Sequence, residues 1–266
     1  MTESAALALS LSNVSKAFGG LRAVDGVSLA VTPGERRALI GPNGAGKTTL
    51  FSLISGETRP TDGRIALFGR DVTRLSPHRR AGLGLARTYQ ITNLFPRLTA
   101  LENCFLAVQG LMPTKFHLHR ALSRYPALFD RARGVLDAVG LLDKADETVR
   151  NLSHGEQRQL EIALALAGMP RLLLLDEPTA GLSPAESQMM TALLKKLYPA
   201  ITLLVIEHDM DVAFQLTDRI TVLHYGKVVA DGFGHEVKAN PLVQEDRKST
   251  RLNSSHSRAS RMPSSA

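Results

Sequence analysis

The sequence predicts an α/β fold built on parallel strands, and three observations lead there. A glycine-rich stretch, Gly41-Pro-Asn-Gly-Ala-Gly-Lys-Thr48, stands between an apolar strand candidate at 36–40 and a helix candidate at 47–55. Three short apolar runs, 172–175, 201–206 and 219–223, are rich in Leu, Ile and Val and are separated by helical segments. Strands buried on both faces of a sheet have this pattern. From about 77 to 168 the pattern is helical, which implies a separate helical subdomain. With 44% apolar and 21% charged residues, a chain of 266 residues can bury a proper core.

The elements follow in chain order. Val27, Leu29 and Val31 alternate with polar or small residues and end at Pro33-Gly34, the mark of a half-buried antiparallel strand closed by a turn. Residues 36–40 form the next strand and lead straight into the glycine-rich loop. The helix over 47–55 stops at Gly56. Thr61-Asp62-Gly63 reads as a turn and 64–68 as a further short strand, so a small β layer surrounds the loop. In the helical region, Thr99-x-x-Glu102 is a capping-box signature ahead of Phe105, Leu106 and Val108. Ser183-Pro184-Ala185-Glu186 supplies an N-cap, a proline at the first helical position and a glutamate at the third, so a helix starts there. No internal repeat and no heptad run is present.

Composition excludes several function classes. One cysteine, Cys104, rules out an intramolecular disulfide and a cysteine-built metal site, and its neighbours Leu101, Phe105 and Leu106 mark it as core filler. The apolar run at 172–175 is far short of the roughly 20 residues that span a bilayer. The N-terminus lacks the basic start and apolar stretch of a secretory signal, so a cytoplasmic protein is expected. The net charge is +7, but Arg247, Lys248, Arg251, Arg258 and Arg261 against Asp246 supply more than half of it, and the small remainder argues against a nucleic-acid partner. Residues 246–266 are rich in Ser and Arg and cannot bury a core. They read either as a disordered basic tail or as non-native sequence. The segments 246–256 and 260–266 resemble the conceptual translation of a sequencing-adapter oligonucleotide, and on that reading the native chain departs from this one after Glu245.

The chemistry begins at the loop. Its spacing fits the phosphate-loop pattern, in which glycines let successive N–H groups converge on phosphate oxygens and the following helix adds the positive end of its dipole. Gly41, Asn43, Gly44, Ala45, Gly46, Lys47, Thr48 and Thr49 are therefore candidate triphosphate contacts. Lys47 is expected to bridge the β and γ phosphates and Thr48 to coordinate Mg²⁺ through its hydroxyl. The run 171–177, Arg-Leu-Leu-Leu-Leu-Asp-Glu, delivers two carboxylates at the carboxyl edge of a strand, where ligands sit in open α/β sheets. Asp176 is placed to hold Mg²⁺ through water, and Glu177 to act as general base on the attacking water. Taken alone, these would be solvated acids at a strand end.

Leu152-Ser153-His154-Gly155-Glu156 resembles the signature loop of the ABC ATPase family, with His154 and Glu156 where the commonest form has Gly and Gln. That resemblance, which covers residues 7–245, implies a P-loop NTPase core of RecA-like type, an antiparallel β subdomain and an inserted α-helical subdomain at about 88–168. It implies that Ser153 and Gly155 contact the γ phosphate of ATP bound to a second subunit. His154 reads as a surface side chain. Gln90 resembles the glutamine that senses Mg²⁺ and water and couples to the membrane subunit. His208 resembles the switch histidine that contacts the γ phosphate, and Phe18 the aromatic that stacks on adenine. Alone, Gln90 and His208 would be ordinary polar residues and Phe18 a packing residue. In Ala180-Gly181-Leu182-Ser183, Ser183 replaces the family's usual Asp, so that residue's contacts do not carry over.

Ser15-Lys16-Ala17-Phe18-Gly19-Gly20-Leu21, Ala86-Arg87-Thr88-Tyr89-Gln90, 93–99 and Leu160-Glu161-Ile162-Ala163 are similar to cassettes of branched-chain amino acid importers, and the stretch 109–133 to the larger of their two cassettes. The implied partners are a second ATPase subunit in a heterodimer, two transmembrane permeases and, indirectly, a periplasmic solute-binding protein. The implied place is the cytoplasmic face of the inner membrane, as a peripheral subunit. Cassettes for urea, short amides and lipopolysaccharide export are similar enough to stay open. A non-transport ABC ATPase is disfavoured because the chain lacks a second cassette and a coiled-coil insertion. A regulator without hydrolysis is disfavoured by the presence of Asp176, Glu177 and His208.

Overall fold

The computed structural model describes residues 6–88, 94–110, 126–197 and 201–238. The tail at 246–266, Tyr89, Gln90 and most of the stretch 109–133 lie outside the described residues.

Strands β1 (Leu9–Phe18) and β2 (Leu21–Val31) form a hairpin, and β3 (Arg36–Ile40) runs through the glycine-rich loop into α1 (Lys47–Ser55). Next come β4 (Asp62–Leu67), β5 (Arg70–Asp71), α2 (Pro77–Ala81) and β6 (Leu85–Arg87). The helices α3 (Ala100–Gly110), α4 (Pro126–Ala138) and α5 (His154–Leu166) follow. The chain then alternates through β7 (Leu172–Asp176), α6 (Pro184–Lys196), β8 (Thr202–Ile206), α7 (Met210–Leu216), β9 (Arg219–His224), β10 (Lys227–Phe233) and α8 (Gly234–Lys238). Two sheets result. One is antiparallel, in the order β2-β1-β4-β5; the other has six strands in the order β10-β9-β3-β8-β7-β6. In the second sheet only β10 runs antiparallel to its neighbour.

Strand alternation divides the core in two. Leu172, Leu174, Leu204 and Ile206 point to one face of the larger sheet, where Leu50, Phe51, Leu53 and Ile54 of α1 fill the space beneath Leu9, Leu11 and Val14 of the smaller sheet. Leu173, Leu175, Leu203 and Val205 point to the other face and pack on the helical side with Leu160, Ala163, Met190 and Leu194. Both faces are covered, which is why β7 and β8 read as unbroken apolar runs. Cys104 is fully buried in the helical cluster, where burial pushes its thiol up to about 12 and leaves it inert at neutral pH.

One buried cation anchors α1 from below. Arg80 has no exposed surface, and its Nη1 donates to the carbonyls of Leu53 and Ile54 at 2.6 and 2.7 Å, the last turn of the helix. A positive group there satisfies orphan carbonyls and opposes the dipole's negative end. Burial pulls its pKa down to about 10, which still leaves it charged at neutral pH.

The structure corrects the strand map. Residues 85–87 form β6, parallel to β7 through Leu85–Leu172, Ala86–Leu173 and Arg87–Leu174, inside the region whose pattern reads as helical from 77. Three residues carry no period, so only the partner strand defines them. The segment 61–63 is not a free turn: β4 begins at Asp62, and Gly63, at φ +88°, absorbs a register shift between Ser12–Arg64 and Ser15–Asp62. Repeated register shifts in β1, between Leu11 and Val14 and again near Lys16, break the two-residue alternation that would otherwise mark that strand.

Candidate functional site

Strands β3, β8 and β7 lie side by side and parallel, so the loop after β3, His208 after β8 and Asp176 at the end of β7 share one carboxyl edge. The loop is held from behind by the turn between β9 and β10. Gly226 donates its N–H to the Ala45 carbonyl at 2.9 Å, and a Cβ on Gly41 would sit 2.0 Å from the Leu223 carbonyl oxygen. At Gly46, φ is +101° and a Cβ would lie 2.3 Å from the Ala23 carbonyl oxygen. Both positions require glycine for backbone conformation and for space.

Helix α1 starts without a side-chain cap and without an acidic residue in its first turn. Its N–H groups face the loop with the dipole's positive end unopposed, a setting that favours an anion. Asn43, Gly44 and Thr48 are exposed, Thr49 half-buried and Ala45 buried. Lys47 is 6% exposed, and its ammonium donates to the carbonyls of Gly41 and Pro42 at 2.7 and 3.0 Å, which holds the charge over the loop.

Asp176 is 2% exposed, and burial raises its carboxyl above the ordinary carboxylate range, with Glu177 adding to the shift and Arg87 and Lys47 opposing it. Its Oδ2 accepts from Arg87 Nη2 at 3.2 Å, while Oδ1 is buried with no hydrogen-bond partner among the described residues. The next residue, Glu177, has φ +50°, a left-handed conformation that costs a residue with a Cβ energy. Its N–H donates to the Ile206 carbonyl at 3.0 Å, and its Oε1 lies 2.6 Å from His208 Nε2. Thr179 Oγ1 donates to Glu207 Oε1 at 2.9 Å. These contacts bind the turn after β7 to the end of β8.

Ser153 and Gly155 lie elsewhere. They line a cleft with Leu182, Glu186 and Met190, to which Lys47, Asp176, Glu177 and His208 do not contribute. Ser153 Oγ accepts the Glu156 N–H at 3.2 Å, and Glu156 Oε2 accepts the Ser153 N–H at 2.7 Å. His154 is exposed. Ser183 forms the same reciprocal cap with Glu186 at the start of α6, so in this chain it works as a helix cap. Phe18, at the end of β1, is 52% exposed, and the Lys16 ammonium stands 4.9 Å from its ring centroid, held by the Arg59 carbonyl. Gln90 lies outside the described residues.

Sequence reasoning misses two residues here. Arg87 stands within a quoted motif but carries no local sign of its contact with Asp176. Glu207 looks like the polar end of an apolar run. The capping role of Glu156 was legible, since Ser153-x-x-Glu156 is the same spacing as Thr99-x-x-Glu102.

A glycine-rich loop opening a bare helix, beside buried and strained carboxylates on the same sheet edge, defines a P-loop protein that binds nucleoside triphosphates. Comparison with known proteins narrows the class. A family model described as "ABC transporter" matches residues 24–180. The high-affinity branched-chain amino acid transport ATP-binding protein BraF of Pseudomonas aeruginosa is 39% identical over 244 residues, 88% of this chain and 95% of the relative. Among solved structures, a nucleotide-free ATP-binding cassette from an ABC transporter superposes with a TM-score of 0.79 at 30% identity, covering 91% of this chain and 98% of the other. A dimeric post-hydrolysis cassette bound to ADP and Pi gives 0.70 at 29% identity, covering 85% and 98%. The chain belongs to the ABC transporter family, as an ATP-binding cassette. The RecA-like α/β core and the antiparallel sheet belong to that family's fold, and the activity is that of an ATPase coupled to transport.

Proposed function

We propose that this cassette powers uptake of branched-chain amino acids, or of a related small polar solute, through two membrane permeases to which a periplasmic binding protein delivers the cargo. The observation that carries the substrate class is the 39% identity to BraF across nearly the whole length of both chains. No helix among the described residues is long and apolar enough to cross a membrane, in keeping with a peripheral subunit on the cytoplasmic face of the inner membrane. Residues 7–245 make up the cassette, about 88–168 its helical subdomain, and 246–266 fall outside the functional unit.

The geometry and the resemblance to the family together support these roles. Adenine stacks on the exposed face of Phe18, and the amides of 41–49 take the phosphates, with Lys47 exchanging its loop carbonyls for β and γ oxygens. Glu177 is the general base for the attacking water, and His208, hydrogen-bonded to it, orients it and contacts the γ phosphate. The buried Oδ1 of Asp176, without a partner among the described residues, fits a divalent cation, as do the exposed hydroxyl of Thr48 and, by its place in the motif, Gln90. Bound there, Mg²⁺ would neutralise charge developing on the phosphates.

The site is one half of an enzyme. Ser153 and Gly155 open α5 in a cleft apart from the loop of their own chain, which suits contact with ATP held by a partner cassette. The dimeric neighbour bound to ADP and Pi supports a paired assembly, and the resemblance to two-cassette importers makes the partner a second, different cassette. ATP closes the pair, which pulls on the permeases, and hydrolysis reopens it.

The test is reconstitution of the cassette with its partner subunits in proteoliposomes. ATP hydrolysis is expected to rise severalfold when the binding protein arrives loaded with leucine, isoleucine or valine. A rise with urea or a short amide alone would reassign the cargo, and hydrolysis indifferent to every solute would contradict the import reading.

A further inference from the structure

Arg87 closes β6, and its side chain is 6% exposed. Nη2 donates to Asp176 Oδ2 at 3.2 Å. Nη1 donates to Ser52 Oγ and Ser55 Oγ, both at 3.2 Å, and to Glu57 Oε2 at 3.1 Å. The guanidinium carbon stands 5.7 Å from the centre of the Phe51 ring. Ser52, Phe51 and Ser55 belong to α1, whose first two residues are Lys47 and Thr48. One rigid, planar cation therefore spans from the helix that presents Thr48 to the carboxylate that ends β7.

Among the described residues Asp176 leaves Oδ1 without a partner and directs Oδ2 to Arg87. A carboxylate that serves a cation needs an outer partner on its second oxygen to fix its orientation, and losing such a partner weakens metal binding without removing a ligand. Arg87 meets that description, and its grip on α1 adds a second constraint. It ties the spacing of Thr48 and Asp176 to a single side chain.

We infer that Arg87 is a positioning residue for the metal site: it holds Asp176 by one oxygen so that the other is left for the cation, and it locks that carboxylate to the helix bearing Thr48. The inference rests on the reading of Asp176 as a metal ligand given above. It assigns Arg87 no contact with ATP itself.

The experiment is calorimetric titration of ATP into the full chain, once with excess EDTA and once with excess Mg²⁺, for wild type, Arg87→Met, Arg87→Lys and Asp176→Asn. In Arg87→Met, affinity in EDTA should stay within about twofold of wild type while the gain conferred by Mg²⁺ falls about tenfold or more. Arg87→Lys, whose single ammonium cannot reach both Asp176 and the serines, should lose an intermediate share of the gain, and it carries the test if the Met variant does not fold. Equal loss with and without Mg²⁺ in both Arg87 variants would mark a merely structural residue and overturn the inference. So would a full Mg²⁺ gain in the Arg87 variants alongside a lost gain in Asp176→Asn. If Asp176→Asn itself keeps the gain, the metal reading of Asp176 fails, and the inference falls with it.

Discussion

Glu207 is the residue whose chemistry the fold changes most visibly. It is 3% exposed, and burial pushes its carboxyl from an ordinary 4.5 up to about 7, with Asp209 adding to the shift and the bonds from Thr179 and the His208 backbone opposing it. The folded chain therefore favours the protonated acid. That contribution is complete below pH 4.5 and is lost as the pH rises through 7, a span worth about 3 kcal/mol. Glutamine keeps an acceptor for Thr179 and carries no charge. Glu207→Gln should thus melt close to wild type at pH 4 and several degrees higher at pH 8, as followed by circular dichroism. The same difference at both pH values would show that titration of this group contributes nothing. In the sequence Glu207 is one polar residue after an apolar run, and its burial arises only when the turn at Thr179 closes over it.

Helix starts divide the elements by role. Helix α1 begins at Gly46 with no side-chain cap, while α5 and α6 carry complete capping boxes at Ser153–Glu156 and Ser183–Glu186. An uncapped start leaves its amides for phosphate, whereas a capped one satisfies them internally. For α6 this makes Ser183 a stability residue: Ser183→Ala should lower unfolding free energy by about 1 kcal/mol, and Ser183→Asp, an equally good cap, should leave it nearly unchanged. Chemical denaturation of both variants checks this, and equal losses would show that the hydroxyl acts through something other than the cap. Caps at Thr99 and Ser183 are legible in the sequence because they involve four consecutive residues. The central runs of β7 and β8 are legible because both faces are buried. By contrast, β6 has three residues and β1 shifts register repeatedly, so each is defined by partners distant in sequence, which a local pattern does not contain.

For the whole molecule, the order of motifs carried most of the function. The loop at 41–48, the signature at 152–156, the carboxylates at 176–177 and His208 appear in the chain in sequence, and the fold brings the first, third and fourth to one sheet edge while the second lies on a separate cleft. That separation has no trace in local pattern, and the proposed half-site arrangement rests on it. Arg87 is invisible for the same reason, since its partners on α1 and β7 are 32 or more residues away. The central claim, that Glu177 drives hydrolysis within a site completed by a partner, is tested most directly by single-turnover ATP cleavage in Glu177→Gln assembled with its partner cassette. The account predicts ATP binding equal to wild type, cleavage slowed by about a hundredfold or more, and a closed pair that accumulates with uncleaved ATP. Cleavage at the wild-type rate would contradict it.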